Sequence, residues 1–459
     1  MRKLILSFLL FLIFNQPIFA LENNKIGIHI TQTEDLEKAA QLVNSQGGDW
    51  GYVTVVIQET DRNYEKWQNF FDQCREKHLI PLVRIATHLE GETWAKPSES
   101  SIEEWADFLT SLNWPVKNRY VIVFNEPNHA KEWGGRLDPG EYAIILTKAI
   151  DTFKQKNQNF LILNAGLDQA ASDSQETMDE IKFLRKMDEK VPGIFLKLDG
   201  WVSHSYPNHG FVGKPWETGR ATIKGYEWEL SILKNLKNNF NLSSDLPIFI
   251  SETGWPHQLK NKNERFYSEK VTANFIRQAF ENIWLKDEKV MAVTPFILNY
   301  PYYPFANFSW LDSQGEPYPQ FNEVKSIGKV KGEPQQEESS KLENIFLPPF
   351  LTTNFVFEGK VVLKNTGQSI WGEKEWLRKA NSPGLKLSDL KLPEGKLVKP
   401  GETIELSFTL ETPAQAGVYS FFWEGLPKFS LRVFDLWGLT SSKKSPLNIF
   451  LESLLKLKP

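Results

Sequence analysis

Eight short apolar runs separated by longer amphipathic stretches limit what this chain can fold into more than any other feature. The runs are 25–30 (KIGIHI), 52–57 (YVTVVI), 80–86 (IPLVRIA), 119–125 (RYVIVFN), 159–165 (NFLILNA), 198–204 (LDGWVSH), 246–251 (LPIFIS) and 290–298 (VMAVTPFIL). Their apolarity is continuous rather than alternating, which marks strands covered on both faces, as in a parallel sheet. Between them lie helical patterns such as 33–46, 140–156 and 268–285. Eight strand–helix units at this spacing predict an α/β fold, a closed (β/α)8 barrel over residues 25–328. An open doubly wound sheet is the alternative, but 27–37 (GIHITQTEDLE) carries no glycine-rich phosphate loop after the first strand.

Charge and cysteine content remove whole classes of function. Among 459 residues, 53 basic and 57 acidic side chains give a net charge of −4, well mixed, so nothing points to nucleic acid. Cys74 is the only cysteine, which rules out an intrachain disulfide, and it sits in an amphipathic helical pattern where a small buried residue is expected. No ligand set has the spacing of a metal site, and no cofactor is expected. The N-terminus has two positive charges, an apolar run from Leu4 to Phe14, Pro17, and then Ile18-Phe19-Ala20. That is the layout of a secretory signal peptide over residues 1–20, so the protein is expected to be exported, to the cell surface, periplasm or medium. An uncleaved anchor is the weaker reading, because the run is shorter than the roughly 20 residues a spanning helix needs. Export without disulfides suits a bacterial protein better than an animal one.

Two of the runs end in an acid. The fourth passes from Val121-Ile122-Val123-Phe124 into Asn125, Glu126 and Pro127, and the seventh from Ile248-Phe249-Ile250 into Ser251, Glu252, Thr253, Gly254 and Trp255. A buried carboxylate is costly without a partner, so each needs a structural or a chemical use. In a barrel, the carboxyl ends of strands four and seven face each other across the mouth, where active sites lie. Two opposed carboxyl groups are what glycoside hydrolysis requires: one protonates the leaving oxygen and the other attacks or stabilises the sugar's C1.

With Phe124-Asn125-Glu126-Pro127 after strand four and Ser251-Glu252-Thr253-Gly254-Trp255 after strand seven, residues 25–328 resemble the clan A glycoside hydrolases, retaining (β/α)8 enzymes. The resemblance implies Glu126 as acid/base and Glu252 as nucleophile. It implies Asn125 as the residue bonding a sugar hydroxyl, and His204 and Tyr206 near the two acids, Tyr206 donating to Glu252. Arg84 is a candidate for holding Glu252 ionised, although clan members often place their arginine one strand earlier. His29 is a candidate sugar contact. Trp255 and Trp310 are candidate stacking platforms, with Tyr300 or Tyr302 as substitutes. The family within the clan stays open, as do the sugar, the linkage and endo or exo action.

Residues 329–344 are charged and rich in Gln and Ser, and read as a solvated linker. Residues 345–434 read as a small antiparallel β-sandwich. Ile404, Leu406, Phe408 and Leu410 alternate with Glu405, Ser407 and Thr409, and Pro400-Gly401 and Pro413 punctuate the pattern. This region resembles the Ig-like four-tryptophan domain, with Trp371, Trp376 and Trp423 assigned to the core first and to glycan or partner binding second. In the tail, 435–459, Ser445 and Pro446 open an amphipathic helix flanked by four lysines, either docked on a domain or contacting a membrane surface or partner. Three activities stay open: a retaining β-glycosidase, a transglycosylase sharing its intermediate, and a silent surface protein that binds glycans.

Overall fold

The computed structural model describes residues 23–238, 246–259 and 265–435. The signal peptide read at 1–20 and the amphipathic tail helix lie outside the described residues. Two compact units are present, the first made of the residues up to Trp114 with Asn118–Gln335, the second of Pro115–Lys117 with the residues from Gln336 on.

In the first unit, β1 (Gly27–Ile30), β2 (Gly51–Gln58), β3 (Leu79–Ala86), β4 (Arg119–Val123) and β5 (Phe160–Leu163) pair in parallel and in sequence order. β6 (Trp201–His204), β7 (Ile248–Glu252) and β8 (Val290–Val293) form a second parallel set. Parallel bridges from Leu163 to Gly200 and from Ile26 to Val293 join the two sets at both edges, so the ring closes. All eight strands coincide with the eight apolar runs. One helix follows each: α1 (Leu36–Val43), α2 (Tyr64–Glu76), α3 (Glu99–Ser111), α4 (Pro139–Lys156), α5 (Glu180–Lys190), α6 (Gly225–Asn235), α7 (Glu269–Ala279) and α8 (Pro319–Ser326).

Local chemistry sets these boundaries. At α3, the side chain of Ser98 accepts from the Ser101 N–H and satisfies one of the helix's orphan donors. Its buried residues Ile102, Trp105, Ala106 and Leu109 fall at the i, i+3, i+4, i+7 spacing that turns one stripe toward the strands. α4 starts with Asp138 capping the Glu141 N–H and Pro139 in the first turn. Cys74 lies fully buried on α2, a packing residue as expected.

The second unit contains two four-stranded sheets. One runs in the order 340–346, 356–365, 403–411, 386–387, all antiparallel, and the other in the order 350–352, 429–434, 417–423, 380–381. Residues Thr403–Glu411 alternate exposed and buried along their length, and Ile404, Leu406, Phe408 and Leu410 share one core with Phe421, Trp423, Leu431 and Val433 of the other sheet. Trp371 and Trp423 are fully buried, and Trp376 packs against the same cluster. Two expectations need correction. The sheets are not purely antiparallel, because Phe350–Thr352 pairs in parallel with the strand at Phe429–Phe434, having switched sheets after a three-residue turn. The linker is not simply solvated either. Ser340–Phe346 forms an edge strand paired with 360–365, and Lys329 is half-buried, its ammonium capping the carbonyls of Val324 and Ile327 at 2.9 Å. Burial lowers that ammonium to about 8. Composition missed both because an edge strand needs only one apolar face and a capping lysine reads as surface charge.

Candidate active site

β4 stops at Val123, and the next residues leave the ladder sharply: Phe124 has φ 72° and Glu126 φ 28°. Non-glycine residues with positive φ cost on the order of 1–3 kcal/mol and persist where surrounding structure holds them. Here the Glu126 N–H donates to Gly166 O at 3.1 Å, tying the turn to the segment after β5. Gly166 is required for a second reason. A Cβ there would lie 2.1 Å from Cδ2 of His204, so only glycine lets the imidazole pass.

His204 closes β6 and is the hub of the site. Its Nδ1 lies 2.9 Å from Glu126 Oε1 and 4.0 Å from Glu252 Oε2, which bounds the oxygen–oxygen separation of the two carboxyl groups at about 7 Å. Glu252, the last residue of β7, is engaged at both oxygens. Oε1 accepts from Arg84 at 2.6 Å and Oε2 from the Tyr206 hydroxyl at 3.2 Å. The same Arg84 nitrogen donates to Asn125 Oδ1 at 2.6 Å. His29, at the base of the site and 1% exposed, has Nδ1 3.9 Å from Glu252 Oε1.

The electrostatics separate these groups. Burial pushes the Glu252 carboxyl up, but the His204 and Arg84 charges outweigh it and hold the acid down to about 2. Burial likewise disfavours a charged His204, yet Glu252 and Glu126 raise its pKa above the ordinary imidazole value. His29 is lowered to about 3 by burial and by Arg84, so at neutral pH it is uncharged and Arg84 is the permanent cation beside Glu252. Glu126 keeps Oε2 without a hydrogen bond among the described residues, an oxygen available to carry a proton.

The structure thus brings together Glu126, Glu252, Asn125, His204, Tyr206, Arg84 and His29. Two candidates are corrected. Trp255 is 3% exposed, with its indole N–H donating to Gly213 O at 2.7 Å and its ring against Phe275, so it offers no free face to a sugar. Trp310 is also 3% exposed, its backbone N–H bonded to the Ile297 and Leu298 carbonyls. Both follow a strand end in sequence, but loop curvature turned them inward. Among the substitute rings, Tyr302 is 69% exposed on the segment after β8. Sequence reading assigned no role to Glu132, whose Oε2 accepts from Asn125 Nδ2 at 3.4 Å, nor to the His129–Asp168 pair, 2.9 Å apart beside Glu126. The only signal for Glu132 and His129 was proximity to Glu126 in the chain, and Asp168, from the segment after β5, had none. Among the described residues, no cluster of His, Cys, Asp or Glu is arranged to hold a metal ion.

A scan against protein-family models and a search of curated proteins return no match. Solved structures give weak likenesses. The chain is similar to a monomeric β-xylosidase from Caulobacter crescentus at 10% identity and TM-score 0.46, over 86% of this chain and 97% of that one. It is similar to a glucosidase from Croceicoccus marinus at 9% identity and TM-score 0.47, over 86% and 96%. An endo-β-1,3-glucanase from Pseudomonas viridiflava aligns at 11% identity and TM-score 0.42, over 67% and 98%.

Proposed function

We propose that this protein is an exported retaining β-glycoside hydrolase acting on a poly- or oligosaccharide. The observation that carries the reading is the pairing of Glu126 and Glu252, from the ends of β4 and β7, around the single nitrogen of His204. An upper bound of about 7 Å admits the roughly 5–5.5 Å spacing of a retaining pair and leaves out most of the roughly 6.5–9.5 Å range that an inverting pair needs for water.

In the first step, Glu126 gives its proton to the glycosidic oxygen while a Glu252 oxygen attacks C1. The C1–O bond to the leaving group breaks and a glycosyl ester forms on Glu252. In the second step, Glu126, now a carboxylate, takes a proton from water, whose oxygen attacks C1 and releases Glu252. Arg84 and Tyr206 keep Glu252 ionised and oriented before attack. The His204 contact at Glu126 Oε1 leaves Oε2 for proton transfer.

Glu126→Gln and Glu252→Gln each lower kcat on aryl β-glycosides at least ~1,000-fold with unchanged far-UV circular dichroism. Azide restores turnover of Glu252→Ala as the inverted glycosyl azide. Binding of glycans without cleavage of any aryl glycoside, β-glucan, mannan or xylan by the native protein overturns the reading. Product analysis with an added acceptor sugar separates hydrolysis from transglycosylation. Export follows from the signal-like segment at residues 1–20, and N-terminal sequencing of the mature protein is expected to start at Leu21. Two sheets around Trp371 and Trp423 support the Ig-like four-tryptophan assignment for the second unit, with packing as the role of those rings.

A further inference from the structure

Beside the catalytic pair lies a small cavity of about 40 Å³ whose polar lining is Arg84, Asn125, Thr87 and Glu132, walled by Trp94 and Phe124. A cavity needs about 10–15 Å³ of such space to hold one water, so the notch takes a group of about two or three heavy atoms, such as a hydroxymethyl, and not a ring. The structure defines it well. Glu132 is anchored by its N–H on His129 O at 3.0 Å, and the Gly134 N–H donates to Trp94 O at 2.9 Å, tying the segment that carries Glu132 to the Trp94 wall. Two of its lining residues have an unused polar atom. Arg84 Nε is buried with no hydrogen-bond acceptor, and Glu132 Oε1 has no hydrogen bond among the described residues. One hydroxyl can answer both, its oxygen accepting from the guanidinium and its proton going to the carboxylate. An anionic substituent fits poorly, because it meets Glu132 while the Arg84 Nη1 charge is already shared by Glu252 and Asn125.

We propose that this notch is a subsite for a single uncharged hydroxyl-bearing substituent of the sugar held between Glu126 and Glu252, and that Glu132 determines which sugar is accepted there. The proposal rests on the glycoside-cleaving reading above. Burial and the Glu126 carboxylate push the Glu132 carboxyl up to about 7, so above that pH it acts as an acceptor only.

The test takes the aryl glycoside that the native protein cleaves best, with its monodeoxy and deoxyfluoro series, at pH 8. One monodeoxy position is expected to cost about 100-fold in kcat/KM with the native protein, because the site's polar groups are left unpaired. In Glu132→Leu that penalty shrinks below about 5-fold while the other positions keep theirs. In Glu132→Gln the matching deoxyfluoro analogue recovers about 10-fold relative to the parent glycoside, since an amide N–H donates to fluorine and a carboxylate cannot. Glu132→Gln preserves shape and carries the test alone if Glu132→Leu fails to fold. Deoxy penalties unchanged in Glu132→Leu, or no deoxyfluoro recovery in Glu132→Gln, overturn the proposal and leave the glycosidase reading intact. Absence of turnover on every glycoside overturns both.

Discussion

At the residue scale, the behaviour of Glu252 depends on charges that arrive from other strands. A carboxyl buried this deeply has its pKa raised unless cations oppose the burial, and Arg84 at 2.6 Å is the permanent one. Replacing it by methionine is therefore expected to move the Glu252 pKa upward. Under the proposed mechanism the ionised form attacks, so the acid limb of kcat/KM shifts toward higher pH, by about 1–3 units, and activity at pH 5 falls more than at pH 7. An acid limb that stays in place in Arg84→Met would show that the arginine does not set the charge of Glu252. Asn125 shows the same dependence on distant groups. Arg84 claims its carbonyl oxygen and Glu132 its amide nitrogen, so the amide orientation is fixed at both ends.

At the element scale, β6 is held between chemistry in front and an unusual layer behind. In front, His204 fits only because residue 166 has no Cβ. Gly166→Ala is expected to displace the imidazole and lower kcat/KM at least ~100-fold with little change in the melting of the second unit; near-native turnover would contradict that packing. Behind, Glu180 at the start of α5 and Glu229 on α6 are both fully buried, with Ser203 and Trp201 of β6 close to Glu229. Burial raises both carboxyl groups, and for Glu180 the adjacent Glu229 raises it further. These two carboxyl groups therefore keep protons in the folded protein above about pH 4.5, where the unfolded chain releases them, and their contribution to stability falls as pH rises from there. Glu229→Gln removes part of that dependence, so its urea midpoint is expected to decline less between pH 5 and pH 8 than the native protein's. Equal declines would place the linkage elsewhere.

At the scale of the whole molecule, two separate apolar clusters imply two cooperative units. Trp423 is fully buried and stacks edge-on against Phe408 and Phe421 of the second cluster. Trp423→Ala is expected to destabilise one calorimetric transition by about 3–5 kcal/mol and leave the other transition and glycosidase turnover unchanged. A single transition that shifts as one would show that the units unfold together.

How much of this was legible in the chain follows from the range of the forces involved. Strand positions were readable because burial on both faces writes an unbroken apolar run locally, as in Val121-Ile122-Val123, and helices because capping and periodicity lie within a few residues of each other, as in Ser98 and Ser101 of α3. The two strand-end acids were readable for the same reason, His204 and Tyr206 through the motif they share, and Arg84 as a charge on the third strand able to hold a carboxylate ionised. Loop side chains were not, since loop curvature decides whether a tryptophan such as Trp255 or Trp310 faces solvent or core. Neither was Glu132, whose significance comes from its burial beside Arg84 and Trp94, nor the Glu180–Glu229 pair, 49 residues apart in the chain. By itself the sequence determined the order of elements and which acids stand at strand ends, because those are near-neighbour properties. The tertiary structure alone decided which groups share a pocket and what charge each carries, because desolvation and Coulomb energy depend on distance in space.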